Sequence, residues 1–71
     1  MYWHYQTFKV VVKKGKPYYC VKEVYHGKEG VGWTEDAILP YGMSKDELIK
    51  CLEMMLKDVK KYRTKIEKVD K

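Results

Sequence analysis

His4, His26, Cys20, Cys51, Glu23, Glu35, Asp36 and Ser44 are the side chains on which catalysis or metal binding would have to draw. Catalysis needs a nucleophile or a metal, an adjacent base, and something to stabilise developing charge. The two histidines fall on separate strands, and the pairing expected below sets them on opposite faces of a sheet. Each then reads as a partly exposed strand residue. Glu35 and Asp36 are neighbours in extended chain, where successive side chains diverge, so they make no carboxylate pair. Neither cysteine has a Cys-x-x-Cys or paired-histidine motif beside it. Both read as buried free thiols that behave as small hydrophobes. Gly27, Gly30 and Gly32 punctuate a hairpin rather than open a helix, so no phosphate-cradling loop is expected. No catalytic, cofactor-binding or metal-binding residue is assigned, and the chain is read as non-enzymatic.

The element that must position everything else is a helix over residues 45–67. Ser44-Lys45-Asp46-Glu47 is a capping box, in which the Ser44 hydroxyl accepts from the Glu47 amide. Met43 and Leu48 occupy the two positions of a hydrophobic staple. Leu48, Leu52, Met55, Leu56, Val59, Tyr62 and Ile66 recur at helical spacing and form the stripe expected to dock on a core. Asp46 and Glu47 come early and Lys60, Lys61, Arg63 and Lys65 late, in the order that suits the helix dipole. At 1.5 Å per residue the helix spans roughly 35 Å, against roughly 30 Å for a nine-residue strand. Its last two turns are therefore expected to overhang.

Ahead of the helix lie three stretches of strand character, at about 2–12, 18–26 and 31–38, separated by Lys13-Lys14-Gly15-Lys16 and Gly27-Lys28-Glu29-Gly30. A four-residue first turn pairs Val12 with Pro17, which places Phe8 opposite Val21 and Val10 opposite Tyr19 on the helix-facing side. Glu23 would share that side, at a strand end or bulge where its carboxylate reaches solvent or a tyrosine hydroxyl. A one-residue slip would exchange the faces. The register of the third strand is left open. The expected fold class is α+β, a three-stranded antiparallel meander packed by one long C-terminal helix, in a single domain over 1–71.

A chain of 71 residues buries only roughly 60% of its unfolded surface. An aromatic core (seven Tyr, two Trp, one Phe) or a partner subunit is expected to supply the remaining stability. Its apolar runs are too short for a membrane span, and the N-terminus lacks a signal-peptide layout, so a cytoplasmic location is expected. The net charge of +5 is shared unevenly. Residues 1–34 set six lysines against Glu23 and Glu29, while residues 35–71 nearly balance, with the basic excess gathered at the C-terminal end. Such a balance attracts anionic partners weakly and without specificity.

On the guessed register one sheet face shows Trp3, Tyr5, Lys9, Tyr18 and Lys22, a mixture able to stack bases and neutralise phosphates. The same aromatics are suited to burial against another protein. The candidate interaction surface is this face together with Lys60, Lys61, Arg63 and Lys65 on the helix end. The partner expected is a protein, a second copy or a small partner; single-stranded nucleic acid is the alternative.

Thr34-Glu35-Asp36, Pro40-Tyr41-Gly42-Met43-Ser44 and Glu47-Leu48 lead into Leu52-Glu53-Met54-Met55-Leu56. With Phe8-Lys9-Val10-Val11 and Tyr19 to Tyr25, they resemble a family of short uncharacterised prokaryotic proteins with the pattern T-E-D-x-x-x-P-x-G-x-S-x-x-E-L. That resemblance covers about residues 5–59 and implies no activity. More distantly, three strands followed by Gly42-x-Ser44-x-x-Glu47 and a helix resemble the N-terminal module of HicB-like antitoxins. Those are incomplete ribonuclease H-like folds that bind a small toxin ribonuclease. The Asp-Leu-Pro-Gly-Cys stretch typical of that module is absent here. No strand is expected after the helix, and no helix-turn-helix.

Overall fold

Strand propensity decides the first half of the chain. The structure, a computed structural model, describes residues 1–69. β1 (Tyr2–Val12), β2 (Tyr18–Gly27) and β3 (Gly30–Trp33) form the expected antiparallel meander. β3 is shorter than the expected strand over 31–38, although the chain beyond it stays on the β2 edge. There the Thr34 amide donates to Glu23 O (3.0 Å) and the Ile38 amide to Val21 O (2.8 Å).

The helix is shorter than its apolar period suggests. α1 spans Lys45–Lys61, and residues 62–64 turn the chain into β4 (Lys65–Val69). β4 lies parallel to β1, giving a mixed four-stranded sheet in the order β3-β2-β1-β4. The expected three-stranded sheet and helix over 45–67 are corrected accordingly. Tyr62 and Ile66 happen to continue the helical stripe, which disguises the strand. Thr64, Ile66 and Val69 are β-branched, and tertiary pairing with β1 outweighs the weak helical preference of this stretch.

The first turn is one residue tighter than expected. β1 pairs with β2 through Phe8 and Cys20, Val10 and Tyr18, and Tyr5 and Glu23. Gly15 takes a φ of +146°, a conformation that side chains rarely adopt, and this closes the shorter turn. Because strand side chains alternate, the slip turns every β2 residue to the other face.

The core follows from that change. The sheet curls until its two edges meet across the Phe8 face, where Trp33 Nε1 on β3 donates to Glu67 Oε2 on β4 (2.9 Å). Phe8, Val10 and Val24 are fully buried within this curl, with Val12, Cys20 and Val69 packed against them. α1 lies on the opposite, convex side. Its Asp58 carboxylate accepts the Tyr5 amide (3.0 Å), and Cys51 Sγ stands 3.9 Å from the Tyr5 hydroxyl. The expectation that Phe8 and Val10 face the helix is thus reversed, and the helix covers only a satellite of the core around Tyr5 and Met55.

At the N-terminus of α1 the cap forms as read, with the Glu47 amide donating to Ser44 Oγ (3.2 Å). The Glu47 carboxylate accepts from the Met43 amide (3.0 Å) rather than from Ser44. Gly42 packs so closely on the first turn that a Cβ there would overlap the Leu48 amide nitrogen. Met43 is exposed, so the expected staple with Leu48 does not cover it.

Candidate functional site

Two features stand out once the curl is closed: a buried ion pair inside it, and an apolar surface left bare outside it. Lys22 is 4% exposed. Its ammonium donates to Glu67 Oε1 and to Glu35 O, each at 2.7 Å, and lies 5.4 Å from the centre of the Phe8 ring. A charge this deep needs both a counter-ion and hydrogen bonds, and it has them. Glu67 accepts from Lys22 and Trp33, and these two bonds hold its carboxyl below the usual carboxylate range. Lys65 adds its ammonium over the Trp33 ring at 4.3 Å. The group joins β2, β3 and β4 across the concave face and latches the curl. A cavity of about 240 Å³ beside it is lined by Val10, Tyr18, Lys22 and Glu67, with Glu35 and Asp36 also contributing to its lining.

The histidines, expected on opposite faces, share one. His4 is buried, and its Nε2 lies 2.8 Å from His26 Nε2. The other nitrogen of His4 is 3.0 Å from Tyr5 O, a group that only accepts, so Nδ1 carries a proton. The Nε2 of His4 is hydrogen-bonded to His26 Nε2. Tyr62 stacks on His4 (3.7 Å between centroids) and Tyr2 on His26 (4.3 Å), so the rings form a column that pins the chain leaving α1. His26→Ala should cost about 1–3 kcal/mol, since it leaves the buried His4 nitrogen without its partner. Urea unfolding monitored by circular dichroism would measure this. Among the described residues no group of three or more His, Cys, Asp and Glu could hold a metal ion.

Glu23 lies on the convex side and accepts from the Tyr25 hydroxyl, one of the two outcomes expected for it. Tyr5 is buried under α1, and burial, the largest cause, pushes its phenol up to about 12. Cys20 faces the concave side, where burial raises its thiol, and Cys51 sits on α1. Both are free thiols.

The sequence-derived interaction surface is split by the register. Trp3, Tyr5 and Lys9 lie on the convex side, whereas Tyr18 and Lys22 belong to the concave side. Tyr5 and Lys22 are buried and unavailable to a base or a phosphate. Lys65 is half-buried on β4, while Lys60, Lys61 and Arg63 remain exposed where α1 ends. These three stay together; the continuous aromatic and basic face does not exist.

What sequence reasoning missed is how little of the helix stripe is covered. Leu48, Cys51, Met55 and Asp58, at helical spacing, face the sheet and are buried or half-buried. Ile49, Leu52 and Leu56 lie to one side of them and are 41%, 46% and 56% exposed. The signal was present in their i, i+3, i+7 spacing, the narrow seam of helix-to-helix packing. Trp3, Tyr19 and Tyr25 add exposed aromatic surface to the convex side of the sheet.

No family model, curated protein or solved structure matches this chain.

Proposed function

We propose that this chain is a non-enzymatic protein-interaction module that associates with itself. The observation that carries the reading is its surface. A compact monomer of 8.5 kDa exposes roughly 4,700 Å², whereas this chain exposes 5991 Å². The excess, about 1,300 Å², is more than the roughly 800 Å² per partner of a standard stable interface. Its shape agrees: the radius of gyration is 13.3 Å, against about 11 Å for a compact chain of this length. The extents of 39 × 32 × 21 Å describe a slab with half of a core on its convex side. Unpaired thiols on opposite sides of the sheet support a reducing compartment such as the cytoplasm. No helix among the described residues is long and apolar enough to cross a membrane.

Sedimentation over a concentration series tests the reading. The expected mass rises from one chain toward two as concentration increases. A mass of one chain throughout, up to hundreds of micromolar, would overturn it.

A second reading is that the module binds a small toxin ribonuclease, as the HicB-like resemblance implies. It is favoured by one observation: a strand, β4, does follow the helix, which removes one of the departures from that module. A small toxin gene beside this one, and a complex of the two products, would support it. Single-stranded nucleic acid is disfavoured as partner, because Lys22 and Tyr5 are withdrawn from any such surface.

A further inference from the structure

Resting on the reading of self-association, we infer that the partner on α1 is α1 of a second copy, packed antiparallel about a two-fold axis. In heptad terms Ile49, Leu52, Leu56 and Val59 follow one another as a, d, a and d, the seam of a helix pair. The flank of that seam carrying Leu48 and Met55 is occupied by the molecule's own sheet, where Met55 is buried. The other flank is open and carries Asp46, Glu53 and Lys60, all exposed.

These constraints choose the direction. In a parallel pair each open flank would have to meet the flank that the sheet already covers. In an antiparallel pair open meets open and covered meets covered, so the two sheets lie side by side along one face of the helix pair. Setting Ile49 against Val59 of the second copy, and Leu52 against its Leu56, brings Asp46 to within about 3 Å, along the helix axis, of that copy's Lys60 on the open flank. By symmetry this contact occurs twice. The acidic first turn of α1, with Asp46 and Glu47, then adjoins the basic last turn, with Lys60 and Lys61, of the other copy. The helix dipoles oppose, which is the favourable arrangement. Glu53 meets its own copy at the axis and is the one unfavourable contact.

The test uses the full chain, with sedimentation for mass and circular dichroism for folding. Leu52→Glu/Leu56→Glu should remain folded, since both side chains are already about half exposed, and should be monomeric where the wild type is dimeric. Lys60→Glu, an exposed change that leaves folding intact, should weaken association several-fold at low salt. Adding Asp46→Lys to Lys60→Glu should restore it, a rescue that a parallel pair would not give. A Leu52→Glu/Leu56→Glu chain still dimeric at wild-type affinity overturns this seam while leaving self-association standing. Loss of association by Lys60→Glu without rescue overturns the antiparallel direction. A monomeric wild type overturns both this inference and the reading on which it rests. Should the double glutamate variant not fold, the Lys60 and Asp46 pair decides alone.

Discussion

Lys22→Ala should lose a large part of the stability of the fold at neutral pH, whereas the double variant Lys22→Met/Glu67→Met should stay close to the wild type. Removing Lys22 leaves the half-buried Glu67 carboxylate without its counter-ion, at a cost toward the lower end of the roughly 3–5 kcal/mol for a fully buried pair. A domain of this length has on the order of 4–11 kcal/mol in total, so the loss falls in the range that decides folding. Alanine also strips the Lys22 side chain from over the Phe8 ring. Replacing both partners by apolar side chains of similar volume removes the desolvation penalty together with the attraction, and such exchanges are often neutral or stabilising. Trp33 Nε1 would then donate to water, since the indole is partly exposed. Urea midpoints for Lys22→Met, Glu67→Met and the double variant form the cycle that isolates the pair. A Lys22→Ala midpoint equal to that of the wild type would show that the latch contributes nothing.

The same pair sets the acid limb of stability. The Glu67 carboxyl is lowered from 4.5, first by the bond from Lys22 and then by that from Trp33. A carboxyl held low when folded contributes stability that is complete above its unfolded value and drains away as pH falls through the folded one. Stability should therefore decline below about pH 4.5 in the wild type, and the decline should be shallower in Lys22→Met/Glu67→Met. Equal slopes in the two proteins would assign the acid limb to other carboxylates.

Phe8→Ala should be the most damaging single change to the core. Phe8 is 0% exposed, sits at the centre of the curl, and touches both the Lys22 ammonium and the tilted Trp33 ring (5.6 Å between centroids). Deleting a buried phenylalanine costs about 3–5 kcal/mol through lost transfer energy and the cavity left behind. Tyr19→Ala, on the exposed convex side, should stay within about 0.5 kcal/mol as a monomer property. The contrast tests where the core lies. Had the helix covered Phe8, as its register in a four-residue turn implies, damage at Phe8 would loosen α1 from the sheet. Inside the curl it should instead open β3 and β4 together, which hydrogen exchange at the sheet-bonded amides of Gly32 and Glu67 would report. Protection lost on α1 before either edge strand would contradict the described core.

Much of the local structure was legible from the chain alone. Alternation and β-branching set β1 and β2, and the capping box at Ser44 set the start of α1. Those signals act within a few residues, so no knowledge of the fold is needed to read them. The end of α1 was not legible, because Tyr62 and Ile66 satisfy the helical period as well as they satisfy a strand. The inward face of β4 carries Lys65, Glu67 and Val69, so it lacks the apolar alternation by which a strand is recognised. Glu67 is polar in sequence and becomes a core element only because Lys22 and Trp33 are brought to it from two other strands. The split of the interaction surface has a similar origin: one residue fewer in the first turn inverts β2 and separates Trp3 and Lys9 from Tyr18 and Lys22.

By itself, then, the sequence determined the first two strands, the turns that follow them and the start of the helix. Only the tertiary structure decided which faces those segments turn inward. Face choice depends on register and on the parallel addition of β4, both long-range pairings whose energy appears only when distant strands meet. Once the curl buries Phe8 and leaves α1 outside, Ile49, Leu52 and Leu56 stay about half exposed. The apolar period of the helix is a local property of the sequence; that half of it is left exposed is a property of the fold.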